Sequence, residues 1–237
     1  KFEPGARAPV YFGIQDAENE LHDDGDILGY IPQAAETYSY FHTAYSHINE
    51  HQLAIAESTT DQREELKVTR ETGGQIMTIE QAMIFALQRH KSAREAAQFI
   101  GELMTEYGFI PSSGDGSESL IIGDTQEAWV FEVFGVGPGW APDSGKPGAI
   151  WAAQRLPDDH ATMIPNYSII KQIDPTDTEN FLVSDNYKQE AIDRGFYDPD
   201  SGFPFVWQDA YSPLTAEYAT GRFWLFHDTF VPNLKDW

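Results

Sequence analysis

The 237-residue chain contains no cysteine. Disulfides, thiolate metal sites and a thiol nucleophile drawn from these residues are therefore excluded. No apolar run approaches the ~18 residues needed to span a bilayer. Lys1-Phe2-Glu3-Pro4-Gly5 lacks the apolar core of a secretion signal. Basic residues are scarce: 15 Lys and Arg stand against 38 Asp and Glu, a net charge of −23. A field of that sign repels phosphate backbones and anionic lipid, so nucleic acid and membrane surfaces are poor partners. It also keeps a protein soluble, including in a salty or acidic compartment.

Several catalytic signatures are missing too. There is no Gly-x-Ser-x-Gly elbow, no P-loop and no His-Glu-x-x-His zinc helix. His47 and His51 are four apart but lead into a strand, and His42, His90, His160 and His227 have no ligand-like spacing. Asp23-Asp24-Gly25-Asp26 lacks the alternating ligands and closing Glu of a calcium loop. No metal and no cofactor is expected. Carboxylate pairs such as Glu64-Glu65 and Asp158-Asp159 are too common in so acidic a chain to mark a site.

What is present is enough for a folded globule: 41% hydrophobic and 14% aromatic residues. No repeat, low-complexity segment or linker divides the chain, so residues 1–237 read as one domain. Residues 1–37 read as loop with short extended pieces, and 38–45 as a β-prone aromatic run pairing with the strand around Leu53. Thr78-Ile79-Glu80-Gln81 and Ser92-Ala93-Arg94-Glu95 are capping boxes that open two amphipathic helices, the second ending at Gly108. Strands are expected at 119–123, 128–134, 149–154 and 162–164, a helix at 185–194 with Ser184 as its cap, and a last helix carrying Ala216, Ala219, Phe223, Phe226 and Phe230. Grouped helices and grouped strands predict an α+β fold.

The stretch that organises the rest runs from Ile48 to Thr60. In Leu53-Ala54-Ile55-Ala56 the large residues face one way and the small ones the other, and Glu57-Ser58-Thr59-Thr60 stands where the strand ends. A polar strand end beside a close-packed face is a common place for a ligand. Asn49-Glu50-His51-Gln52-Leu53-Ala54-Ile55-Ala56 also resembles a strand of the N-terminal-nucleophile hydrolases that include bile-salt hydrolase and penicillin V acylase. With Gln52 and Glu57-Ser58-Thr59 it is closest to their cysteine dipeptidase branch. Further similarities follow in order: Gly123-Asp124-Thr125 leading into a strand that ends at Glu132, Trp151-Ala152-Ala153-Gln154-Arg155-Leu156-Pro157-Asp158, Ile164-Pro165-Asn166, Ser184-Asp185-Asn186, Gly195-Phe196-Tyr197-Asp198, Tyr211-Ser212-Pro213-Leu214 and Gly221-Arg222-Phe223-Trp224.

The resemblance implies a four-layer α-β-β-α sandwich, incomplete at its N-terminus, and a dipeptidase that forms a thioester on an N-terminal cysteine. Asn166 matches an Asn that donates to the oxyanion, and Arg222 an Arg beside the nucleophile. Thr59 falls where bile-salt hydrolase has a second oxyanion Asn. Ser58 and Thr59 are the substrate-binding candidates, while Asn49 and Glu57 brace the strand and turn. In the family the cysteine and a nearby Asp precede the segment that Lys1–Pro9 resembles, and the chains continue beyond the region ending at Trp237. The expected partners are a dipeptide or small amide substrate and either a second copy or the rest of the same chain. The expected setting is exported, periplasmic or lysosome-like. Two alternatives stay open: an amidase or acylase acting on a non-peptide substrate, and a catalytically dead binding or structural subunit.

Overall fold

A computed structural model describes residues 1–12, 25–43, 46–111, 116–213 and 217–230. Strands β1 (Arg7–Phe12) and β2 (Asp26–Pro32) pair antiparallel as a separate two-stranded sheet. The main sheet has seven strands: β3 (Tyr40–His42), β4 (Ser46–Asn49), β5 (Ala54–Thr60), β6 (Ser117–Gly123), β7 (Ala128–Phe134), β8 (Ile150–Arg155) and β9 (Phe181–Val183). They lie in that order and every pair is antiparallel. Helices α1 (Ile79–Arg89) and α2 (Ala93–Tyr107) are inserted between β5 and β6. The short α3 (Gln189–Asp193) and α4 (Trp207–Tyr211) and the longer α5 (Glu217–Phe230) follow β9. The molecule is thus a mixed α/β structure built on one large antiparallel sheet.

Side-chain alternation assigns the two faces of that sheet. Leu53, Ile55, Leu120, Ile122, Trp129, Phe131, Val133, Trp151 and Ala153 lie against the buried sides of α1 and α2, sealed at one edge by Ala8, Val10 and Ile31. Helix α2 comes very close at Gly101: a β-carbon there would stand 2.3 Å from the Trp151 ring. On the opposite face Val130, Phe134, Ile150 and Ala152 are covered by Ile170, Ala191, Phe205, Trp207, Ala210 and Tyr211. The second face over β5 is less covered, with Ala54, Ala56 and Ser58 only half-buried.

The region from 48 to 60 is a hairpin rather than a single strand. Asn49 closes it, its Oδ1 accepting from the N–H groups of His51 (2.9 Å) and Leu53 (3.1 Å), while its Nδ2 donates to the carbonyls of Leu87 and His90. One buried amide therefore ties the β4–β5 turn to the end of α1. Gln52 takes the left-handed conformation within that turn (φ 67°). The aromatic run expected to pair with the Leu53 strand pairs with β4 instead, because this turn places β4 between them.

Other boundaries shift for visible reasons. Thr78 is the N-cap residue of α1 but makes no capping bond; its hydroxyl donates to the Tyr11 carbonyl. At α2 the Ser92 hydroxyl does accept from the Glu95 N–H, and Asp124 accepts from the Ala93 N–H at 2.7 Å. The segment 162–164 forms no strand, and the strand beyond β8 is β9. Ser184 does not cap a helix over 185–194: its hydroxyl accepts from the Trp151 N–H, holding the end of β9 to β8, and α3 starts later. Asp23, Asp24, Tyr45, Leu214 and Ala216 lie outside the described residues.

Candidate active site

The polar end of β5 meets a loop that crosses the second face of the sheet. Thr60 and Ser117 share a hydroxyl–hydroxyl bond of 3.0 Å, closing the β5–β6 pair. Beyond it Gln62 Oε1 accepts from the Gly135 N–H, and the Ser212 hydroxyl donates to the Asp61 carbonyl. The strand end is therefore fixed to the residues just after β7 and α4.

Glu132 fixes the crossing loop. It is the one acidic residue in the apolar strand Ala-Trp-Val-Phe-Glu-Val-Phe and is 1% exposed. Its Oε1 accepts from the N–H groups of Ile169 (2.7 Å) and Ile170 (3.2 Å), and its Oε2 from the Ser168 hydroxyl (2.6 Å) and the Trp207 indole (2.8 Å). Burial raises its pKa, and the four donors oppose that rise without cancelling it. Gln208 adds a bond from its amide nitrogen to the Ser168 carbonyl.

Just ahead of this anchor, Asn166 stands in the left-handed conformation (φ 59°). Asn tolerates that region better than most residues with a β-carbon. Its backbone N–H donates to Ser58 Oγ at 3.0 Å, and its Nδ2 donates to the Thr59 carbonyl at 2.8 Å. Arg222, on α5, completes the cluster: its Nη2 donates to Asn166 Oδ1 at 3.0 Å and to the Pro165 carbonyl at 2.9 Å. The four residues singled out in the sequence, Ser58, Thr59, Asn166 and Arg222, thus share one hydrogen-bonded cluster, although the last two are 56 residues apart.

Thr59 takes part through its backbone. Its side chain lies on the helix-facing side of the sheet, opposite Glu118 in the β5–β6 pair. Glu118, on the neighbouring strand β6, is buried, and burial, together with neighbouring Glu57 and Glu80, pushes its carboxyl well above the ordinary range.

In chemical terms the cluster can orient one amide. Asn166 Oδ1 is occupied by Arg222 and one Nδ2 hydrogen by Thr59, which leaves the second Nδ2 hydrogen as a donor. Among the described residues no group of three or more His, Cys, Asp or Glu is placed to hold a metal ion. No helix among them is long and apolar enough to cross a membrane. Glu132 entered the sequence reading only as the end of a matched strand. A lone carboxylate flanked by Phe131 and Val133 was the signal of its anchoring role.

Comparison with known proteins gives a consistent result. A family model described as Peptidase family C69 matches residues 13–237. "Probable dipeptidase B" of Lactococcus lactis subsp. lactis (strain IL1403) is 31% identical over 110 residues, covering 46% of this chain and 19% of that protein. "Dipeptidase A" of Lactobacillus helveticus is 28% identical over 144 residues, 60% of this chain and 27% of the relative. "Probable dipeptidase" of Latilactobacillus sakei is 26% identical over 147 residues, 61% and 27% respectively. The matched stretches are thus at most 27% of these relatives' own lengths.

Proposed function

The chain belongs to peptidase family C69, and from that premise we propose that it is part of a cysteine-type dipeptidase with the four-layer architecture of N-terminal-nucleophile hydrolases. The thiol would be supplied by residues ahead of Lys1. Its α-amino group, with a pKa of about 8, would act as the base. The thiolate attacks the peptide carbonyl carbon, the tetrahedral intermediate expels the amine, and water hydrolyses the resulting thioester.

In this reading Asn166 is the oxyanion donor. Its remaining Nδ2 hydrogen meets the negative charge that develops on the carbonyl oxygen, where one preorganised donor contributes roughly 10²–10³ in rate. Arg222 holds the amide in the required orientation through Oδ1 and brings a positive charge to the same place. Ser58 holds the Asn166 backbone in its left-handed turn, and Thr59 lends its carbonyl. Glu132 is a positioning residue that ties the loop after Asn166 to the sheet.

The observation that carries the reading is the Ser58–Thr59–Asn166–Arg222 cluster in a chain of this family. The test is intact mass and N-terminal sequencing of the native protein, together with dipeptide hydrolysis before and after iodoacetamide. A chain starting at cysteine, with activity abolished by alkylation, is the expected result. A native start at Lys1, or turnover indifferent to alkylation, removes the proposed nucleophile.

A further inference from the structure

The two segments that form the Asn166–Arg222 bond also enclose a hollow of about 440 Å³. Tyr167 and Ile169 supply one wall. Thr220, Phe223, Trp224 and His227 supply the other, a stripe at positions i, i+3, i+4 and i+7 of α5. Lys171 stands at the rim. The volume falls in the range of small-molecule sites, which combine apolar walls with a few placed polar groups. Three features point to a particular occupant.

The walls are aromatic and partly open to solvent. Trp224 is 57% exposed, and the His227 ring lies against Phe223 with centroids 4.2 Å apart. A flat apolar side chain can lie between Tyr167 and Trp224 in the offset or edge-on arrangements that aromatic rings favour.

The charge is of the opposite sign to the molecule's. The protein carries a net −23, yet none of the described residues lining this hollow is acidic. Lys171 lies over the Tyr167 ring, 5.7 Å from its centroid, and contacts Gln208 Oε1, a neutral partner that leaves the ammonium charge uncancelled. An anionic ligand approaching so acidic a protein needs such a local cation.

The hollow also adjoins the candidate site along both segments that form it: Tyr167 follows Asn166 and Phe223 follows Arg222.

We propose that this hollow is the subsite for the C-terminal residue of the dipeptide substrate, taking a large apolar or aromatic side chain between Tyr167, Phe223 and Trp224 and its free carboxylate at Lys171. The assignment rests on the dipeptidase reading above and names the substrate class within it. The test uses the full-length protein with Ala-Phe, Ala-Gly and the amide of Ala-Phe. Trp224→Ala is expected to raise KM for Ala-Phe about tenfold or more while leaving Ala-Gly unchanged, as removal of one apolar wall does. Lys171→Gln is expected to raise KM for Ala-Phe and leave its amide unchanged. Equal effects on all three substrates, or none, overturn the subsite.

If no dipeptide is cleaved, the activity assignment fails and the hollow is decided separately, by calorimetric titration with 3-phenylpropanoate. This compound carries the ring and the carboxylate but no bond to cleave. Saturable binding weakened about tenfold by each variant supports the hollow as an aromatic-carboxylate site. No saturable binding overturns it.

Discussion

Arg222 donates through a single nitrogen, Nη2, to both Asn166 Oδ1 and the Pro165 carbonyl. One guanidinium nitrogen thereby fixes a side-chain amide and the peptide unit just before it. Asn166 is also the residue at which the backbone turns left-handed. The orientation of the amide follows, with its oxygen toward Arg222 and its nitrogen toward β5.

We expect Arg222→Met to lower kcat at least tenfold with a small change in KM, because the amide loses the contact that sets its orientation. Arg222→Lys should restore little, since an ammonium is a point charge without the planar fork of a guanidinium. Steady-state kinetics on the full-length protein checks this. Full activity in the lysine variant would show that charge alone suffices.

Glu132→Gln should both destabilise the protein and slow it. Each carboxylate oxygen accepts two bonds, and a glutamine turns an NH₂ group toward one of those donor pairs. Leaving buried donors unsatisfied costs about 1–3 kcal/mol. Chemical denaturation measures the loss, and kcat reports the displacement of Asn166. A variant of wild-type stability would mean that Glu132 does not hold the loop.

The pH dependence of stability should have a definite sign. Burial raises the carboxyls of Glu118 and Glu132 in the folded state. A raised acid binds more protons folded than unfolded, so its contribution is complete below the unfolded value of about 4.3. It is lost as pH rises toward the folded value. Asp124 acts in the opposite direction. Burial pushes it up, but the N–H groups of Ala93, Gln126 and Glu127 pull it below its ordinary value, so its contribution is lost as pH falls through that lowered value. The expectation is a melting temperature that declines from pH 5 toward neutrality, with a shallower decline in Glu118→Gln. Identical slopes in the two proteins would show that folding does not raise the Glu118 carboxyl.

Gly101→Ala offers a packing test far from the cluster. Alanine is the better helix former by about 1 kcal/mol, yet its β-carbon would meet the Trp151 ring at 2.3 Å. Overpacking of this kind costs about 1–3 kcal/mol, so the variant should melt lower than wild type. A gain in stability would show that Trp151 can move aside.

The parts of the architecture that rest on short-range chemistry were legible in the sequence. Helix α2 follows from the Ser92 cap, its apolar stripe and Gly108, whose φ of 74° ends it. Strand β7 coincides with the expected 128–134, because the apolar residues from Trp129 to Phe134 stand between clear turn signals. What was not legible depended on partners distant in the chain. Thr78 fits a capping box, but its hydroxyl is drawn to the Tyr11 carbonyl 67 residues away. The hydroxyl of Ser184 is likewise taken by the Trp151 backbone, so it holds the end of β9 instead of capping a helix over 185–194. At the candidate site the residues themselves could be named from resemblance alone. Nothing in spacing or composition could show that Thr59 contributes a carbonyl while its hydroxyl faces Glu118, or that Glu132 anchors the loop.

The most direct test is Asn166→Gly in the full-length protein. Glycine takes a φ near 59° without strain, so the turn is kept while the amide is removed. The account predicts a loss in kcat of roughly 10²–10³, with the thermal melt close to that of wild type. Undiminished kcat for dipeptide hydrolysis in this variant would contradict it.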